Sequence, residues 1–246
     1  MLKKRPSSSA PQANKGFTQP AISRHGQFHV DDIPPLLSDI LEAGNWDSLI
    51  DAGCGDGSLL HALNRKGHIA NKTVYGLDVA PERIQIVREI NEDLTCLVGS
   101  ACDVPLADKS IDVFVSTQVI EHVPDDDAMV KEIRRTLADN GTVYLSTVFK
   151  KPYGWYFYRN GGRWVLDPTH LREYSHDSQL LDIFEKYDFE ILVNQKTLDS
   201  RPVIDSVVRR LGGGRQVYGN RFLKMLRSFR VPIPGYYNWE IVCKKR

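Results

Sequence analysis

Apolar and polar positions follow two rhythms along this chain. Ile33–Ala43 carries apolar residues at helical spacing with Pro34 and Pro35 in its first turn, which predicts a helix. Asp47–Ala52 is a short apolar run that ends in glycines and predicts a strand. Ser58–Lys66 sets Leu59, Leu60 and Leu63 on one face of a second helix. The rhythms then repeat, with strands at Thr73–Leu77, Leu94–Val98, Ile111–Ser116 and Gly141–Phe149 and helices at Pro81–Asn91 and Asp126–Leu137. Asp126 and Asp127 stand in the first turn of the last helix, the favourable end of its dipole. A further helix at Asp177–Tyr187 and strands at Glu190–Asn194 and Tyr236–Lys244 close the pattern.

Strands alternating with helices over residues 47–149 predict an α/β fold, a doubly wound sheet with right-handed crossovers. The strands are continuous apolar runs, as expected when helices cover both faces. Two stretches interrupt the alternation. Residues 150–175 are rich in aromatics and Arg and are expected to form a lid insertion. Residues 195–235 are rich in Arg and Gly and are expected to form a basic cap insertion. Both follow or connect to C-terminal strand ends, the edge where open α/β sheets bind ligands. Residues 1–25 hold too little apolar surface to offset ordering entropy and read as a disordered arm.

Composition narrows the class. The 246 residues suit one domain, here 26–246, with 41% apolar and 26% charged residues as in a soluble globular protein. No apolar stretch approaches the roughly 20 residues that span a bilayer. The basic MLKKR start runs into Pro, Ser and Gln, unlike a signal peptide. Cys54, Cys96, Cys102 and Cys243 form no CxxC pair, so the expectation is reduced thiols in a cytoplasmic protein, not a zinc ribbon. Net charge is only +1, yet eight Lys and Arg lie between Arg201 and Arg230 against Asp205 alone. That asymmetry predicts an anionic partner. Within it, Phe222–Phe229 alternates rings and aliphatics with Lys224 and Arg227. This fits either peripheral membrane contact through 201–230 or a cap helix covering the sheet.

The candidate chemistry sits after the first strand. Gly53, Gly55 and Gly57 let the backbone turn sharply and approach a ligand. Asp51 precedes them, and a carboxylate there suits an ammonium group better than a pyrophosphate. No Lys follows, which excludes a P-loop. Asp78 ends the second strand about 20 residues on, the spacing of an acid that grips a ribose diol. Singly, Asp51 could be a turn former and Asp78 a helix cap.

Together DAGCGDG, Asp78, VGSACDVPLADKSIDVFVS and STQVIEHVPD resemble class I S-adenosylmethionine-dependent methyltransferases, in the small-molecule and ubiquinone-biosynthesis-like O-methyltransferase branch. The likeness covers about residues 45–150. It implies a Rossmann-like seven-stranded sheet, mostly parallel with an antiparallel last strand. It implies S-adenosylmethionine as cofactor, with Gly53 and Gly55 under its methionine portion and Asp51 near its amino group. Asp78 and Val79 would meet the ribose, Ala101 and Cys102 the adenine, and Thr117 the amino acid end. Where many relatives carry an acid this chain has Ser100, so adenine recognition falls to Asp103 or backbone. Arg24, His25 or His29 of the N-terminal arm would close the site.

Two histidines are candidate catalytic bases for a hydroxyl acceptor. His122 stands in VIEHVP, as a base or packed behind the cofactor. His170 stands in DPTHLREYS, as a base or as a lid anchor through Asp167 and Arg172. Relatives that bind a divalent metal beside Glu121 and His122 place an acid where this chain has Gln118, so no metal is expected. The expected acceptor is a small molecule or glycan, anionic or lipid-linked. The basic aromatic run KKPYGWYFYRNGGRW suits a sugar ring, a quinol or a lipid headgroup, or packs inward as a lid. Nucleic acid ranks lower, because STQVIEHV stands where a base-flipping NPPY motif would. N- or C-methylation and a catalytically silent cofactor-binding relative are the alternatives.

Overall fold

The computed structural model describes residues 33–44, 46–90, 94–202, 221–226 and 229–246. The sheet comprises β1 (Ser48–Ala52), β2 (Thr73–Asp78), β3 (Thr95–Val98), β4 (Ile111–Thr117), β5 (Leu137–Lys150), β8 (Phe189–Pro202) and β9 (Arg230–Lys245). Its order is β3-β2-β1-β4-β5-β9-β8. The first five are parallel to one another; β9, last in the chain, is antiparallel to both neighbours. This is the Rossmann-like, seven-stranded arrangement that the sequence implied.

Strand alternation divides the core between two faces. Ile50, Phe114, Leu145 and Trp239 pack on one side with Met129 and Ile133 of α4 (Asp126–Thr136) and Leu180 and Phe184 of α5 (Ser178–Lys186). Leu49, Val113 and Tyr144 pack on the other with α1 (Pro35–Glu42), α2 (Ser58–Arg65) and α3 (Pro81–Ile90). Burying each such side chain contributes about 1.5–3 kcal/mol, so the sheet's central strands hold the fold together. Asp112 locks β4 to β1 by accepting from the Ser48 hydroxyl at 2.8 Å and from the Asp47 and Ser48 amides at 2.9 Å each.

Three segments differ from the sequence expectation. β8 continues eight residues beyond Asn194, and β9 begins at Arg230, so both ends of the expected cap are strand. The apolar signal fades after Asn194 because β8 is the edge strand and half of it faces solvent; pairing with β9 carries it on to Pro202. The lid stretch contains a small hairpin, β6 (Tyr158–Asn160) with β7 (Arg163–Val165), closed by Gly161 and Gly162 at φ 55° and 78°. Paired positive φ values are what a tight hairpin turn demands, and glycine meets them without Cβ strain. The expected amphipathic helix is the six-residue α6 (Arg221–Leu226), whose Phe222 and Met225 are exposed. The arm 1–25 with Arg24 and His25, His29, and most of the basic segment's arginines lie outside the described residues. Among the described residues no helix is long and apolar enough to cross a membrane, and all four cysteines are free thiols.

Candidate active site

The glycine loop is held to the end of β2. The amides of Gly53 and Cys54 donate to Leu77 O at 2.7 and 2.9 Å. Gly53 has φ 86°, and a Cβ there would lie 2.2 Å from Cγ2 of Val119, so both backbone and neighbour require glycine. Asp78 is buried and holds the loop from below. Its Oδ2 accepts from the Gly55 amide at 3.0 Å and its Oδ1 from the Ala80 amide at 2.8 Å. Arg83 of α3 stands 3.9 Å from both Asp78 and Asp56. Each Asp78 oxygen keeps acceptor capacity beyond its one bond, so the capping and ligand-binding readings are compatible.

Asp51 is 1% exposed, and its Oδ1 has no hydrogen-bond partner. Burial, then the neighbouring Asp78 charge, push its carboxyl up to about 7. An orphaned buried carboxylate oxygen is costly, of order 1–3 kcal/mol or more, unless a ligand completes it. Asp51 borders a cavity of about 270 Å³ that Cys54, Ser58, Thr117, Ser146 and Asn238 also line. Tyr144 closes it, its hydroxyl donating to buried Glu240 at 2.7 Å. The volume is below the roughly 300–1,000 Å³ of whole-ligand pockets and fits one polar end of a ligand. Val79, Ala101 and Cys102 lie outside this lining. Val79 is exposed; Ala101 is buried in the same core cluster as Leu77; half-buried Cys102 donates from Sγ to Asp125 O at 3.3 Å. Asp103 is exposed.

Past β4 the chain turns at Gln118, φ 55°, whose side chain binds Asn238 at 3.1 Å. The turn presents Glu121 and His122, and His170 meets them from the lid segment. The two imidazoles pack edge to face with centroids 4.8 Å apart. Thr169 donates its hydroxyl to Asp167 at 2.6 Å, so its Oγ1 and its carbonyl, both 3.3 Å from His122 Nδ1, act as acceptors. His122 therefore carries its proton on Nδ1, and Nε2 is the basic nitrogen. Burial and His170 keep His122 below the usual histidine range. His170 Nδ1 donates to Glu173 Oε1 at 3.0 Å, both residues being buried. Burial alone would raise Glu173, but the His170 bond and the Leu166 amide hold it below the usual carboxylate range.

The lid anchor expected through Asp167 and Arg172 is present at the backbone, where the His170 amide donates to Asp167 O at 3.1 Å, but the imidazole takes another partner. Asp167 is taken by Thr169, and Arg172 reaches the carbonyls of Ile120, Val123 and Pro124. Glu173, three residues on, is the partner; its H-x-x-E spacing was legible but gave no reason to prefer it. Tyr144, Ser146 and Asn238 also escaped sequence reading, since nothing local marks a polar residue on a buried strand as cavity lining.

Glu121 is fully buried; its Oε2 accepts from Thr147 at 2.8 Å and its Oε1 has no partner. Burial raises its carboxyl. One ligand-capable atom each of Glu121, His122 and His170 lie within 4.8 Å of one another, so the trio could hold a divalent ion with open positions. Gln118 turns away from it toward Asn238.

Comparison with known proteins bears on the same segment. Residues 50–145 match the family described as methyltransferase domain. A ubiquinone biosynthesis O-methyltransferase of Cereibacter sphaeroides is 30% identical over 156 residues, 61% of this chain and 60% of that protein. A malonyl-[acyl-carrier protein] O-methyltransferase of Serratia marcescens is 26% identical over 169 residues, 68% and 63% of the two chains. The chain spans between half and two-thirds of the length of such curated relatives. A solved S-adenosylmethionine-dependent methyltransferase from Methanosarcina mazei superposes with a TM-score of 0.60 at 18% identity, covering 87% of this chain and 98% of that one. That likeness speaks to fold, and the fold, the glycine loop and the matched segment agree: residues 50–145 are a class I methyltransferase domain, the family whose cofactor is S-adenosylmethionine.

Proposed function

We propose that the protein methylates a hydroxyl of a small-molecule, glycan or lipid-linked acceptor in the cytoplasm. The observation that carries this reading is the pair His122 and His170, packed with ring centroids 4.8 Å apart and each fixed with its proton on Nδ1. A hydroxyl must lose a proton to become the nucleophile, whereas an amine or a thiolate needs no base of this kind.

When bound, S-adenosylmethionine supplies the methyl group on an already activated sulfonium. The chain's residues bind, align and exclude water. Asp51 receives the ammonium group, which completes its orphaned oxygen. Thr117 meets the same end of the ligand from β4. Asp78, held by the Gly55 and Ala80 amides, takes the ribose hydroxyls. Gly53 and Gly55 leave room for the methionine portion, and Val79, Ala101 and Cys102 flank the adenine. The histidine pair receives the acceptor proton, His170 held in place by Glu173 and His122 kept neutral by burial. The four free thiols fit a reducing compartment.

Two measurements test this. Asp78→Ala should abolish S-adenosylmethionine binding in calorimetry, and retained affinity refutes the cofactor assignment. Incubation of cell extract with methyl-labelled cofactor should yield a product labelled on oxygen; label on nitrogen or carbon refutes the acceptor class. A second reading, a divalent ion on Glu121, His122 and His170, is favoured only by the unpartnered Glu121 Oε1. Undiminished turnover after chelation eliminates it.

A further inference from the structure

The lid stretch leaves most of its aromatic rings outside. Tyr153, Trp155, Phe157 and Tyr158 are 66, 43, 72 and 43% exposed. They are a packed group, since Trp155 lies 5.0 Å from Phe157 and 5.6 Å from Trp164 between centroids. The group is rigidly based: the amides of Lys151 and Trp155 donate to Gly235 O and Pro234 O, at 2.8 and 3.3 Å, on the β9 ribbon. Gly235, at φ 75°, abuts Gly154 so closely that a Cβ would lie 2.5 Å from its Cα. The ribbon continues the same character with Phe229 and Val231, 66 and 54% exposed. Cations frame the rings. Arg159 stacks over Trp164 at 4.1 Å, and Arg201 over Tyr156 at 5.4 Å. No Asp or Glu occurs from Lys150 to Leu166 or from Phe229 to Trp239.

Solvent does not favour such a surface. Rings with polar edges, interleaved with Lys and Arg and with the half-buried Asp199 of β8 set beside Arg201 and Arg230, match the boundary between acyl chains and anionic headgroups. A protein partner complementary to it would need an apolar patch ringed by acids; an anionic bilayer supplies both features everywhere on its surface. We infer that the lid hairpin and the root of the β8–β9 ribbon seat this protein on an anionic membrane, with Trp155 and Phe157 entering the interface and Arg159 and Arg163 on headgroups. The contact centres on the hairpin, within the aromatic run that the sequence already matched to a lipid headgroup, and reaches the described ends of the basic segment 201–230 at Arg201 and Phe229.

The hairpin joins that surface to the histidine pair. Asn160, on its outgoing strand, donates to Pro168 O and His170 O at 3.3 and 3.5 Å. A docked lid therefore places the acceptor site at the membrane surface, where a lipid-linked hydroxyl would reach it. This last step rests on the proposed O-methyl transfer; the docking does not.

Vesicle sedimentation of the full chain tests the docking without any turnover. The protein should pellet with phosphatidylglycerol-containing vesicles at low salt, release at high salt, and stay in solution with phosphatidylcholine alone. Trp155→Ser/Phe157→Ser should abolish pelleting. Arg159→Gln/Arg163→Gln should weaken it roughly twenty-fivefold, at about fivefold per cation. Unchanged circular dichroism melts establish that both variants fold, and cofactor calorimetry in parallel reports separately on the methyltransferase reading. No pelleting at low salt overturns the proposal. Undiminished pelleting of either folded variant overturns it too, placing the contact elsewhere on the chain.

Discussion

The Nδ1 proton of His170 rests on Glu173 Oε1 at 3.0 Å, in a pair buried on both sides. Lys150 lies 3.4 Å from the other Glu173 oxygen, and the Leu166 amide also donates to Oε1. The carboxylate thus joins the end of β5, the residue after β7 and the lid segment behind one imidazole. An ionised carboxylate in that position fixes the tautomer and the orientation of the ring.

Replacing Glu173 by Gln keeps shape and removes the charge. Turnover should fall by about a hundredfold, the low end of a general base's contribution, with cofactor affinity unchanged in calorimetry. Asp167→Asn should act through Thr169 and His122 instead, with a smaller effect. Equal losses in both variants would mean that the lid as a whole, not the Glu173–His170 bond, sets the rate.

The elements that sequence disclosed were those with buried faces on both sides. β1, β4 and the covered part of β5 read directly as apolar runs, and the glycines with Asp51 and Asp78 read as a ligand loop. β8 beyond Asn194 did not, because an edge strand takes its hydrogen bonds from β9 while its side chains are free to be polar. The site behaves likewise. Gly53 was legible for its backbone freedom, but its contact with Val119 is tertiary. Glu173 was visible as a residue, yet its choice of His170 over solvent depends on burial that no local pattern encodes.

Asp51 makes cofactor binding depend on pH with a definite sign. Its carboxyl is raised to about 7, chiefly by burial. An ammonium ligand selects the ionised form, so affinity should fall as pH drops below 7. Above about 8 the ligand's own α-amino group loses its proton. Calorimetric affinity for S-adenosylmethionine should therefore peak between these values, and Asp51→Asn should erase the acidic limb. Stability of the ligand-free protein runs the other way. An acid with a raised folded pKa stabilises below its unfolded value, loses that contribution as pH rises toward 7, and costs on the order of a few kcal/mol above it. Asp51→Asn should melt higher than the parent at pH 8 while binding less cofactor; a lower melting point would show that the ionised group has a partner in the folded state.

Gly53 and Val119 offer the sharpest steric test. Gly53→Ala sets a Cβ 2.2 Å from Val119 Cγ2 at φ 86°, two independent penalties. Backbone strain alone is of order 1–3 kcal/mol, and the overlap must displace the turn that carries Glu121 and His122. The single variant should lose at least about 2 kcal/mol of stability in urea titration and most of its cofactor affinity. Val119→Ala removes both clashing methyl carbons and costs about 1 kcal/mol by itself. In the double variant the overlap shrinks to the 3.2 Å approach of Val119 Cβ and the φ strain persists, so the combined loss should be smaller than the sum by about 1 kcal/mol or more. Strict additivity would mean that Val119 moves freely, and that the glycine is required by backbone conformation alone.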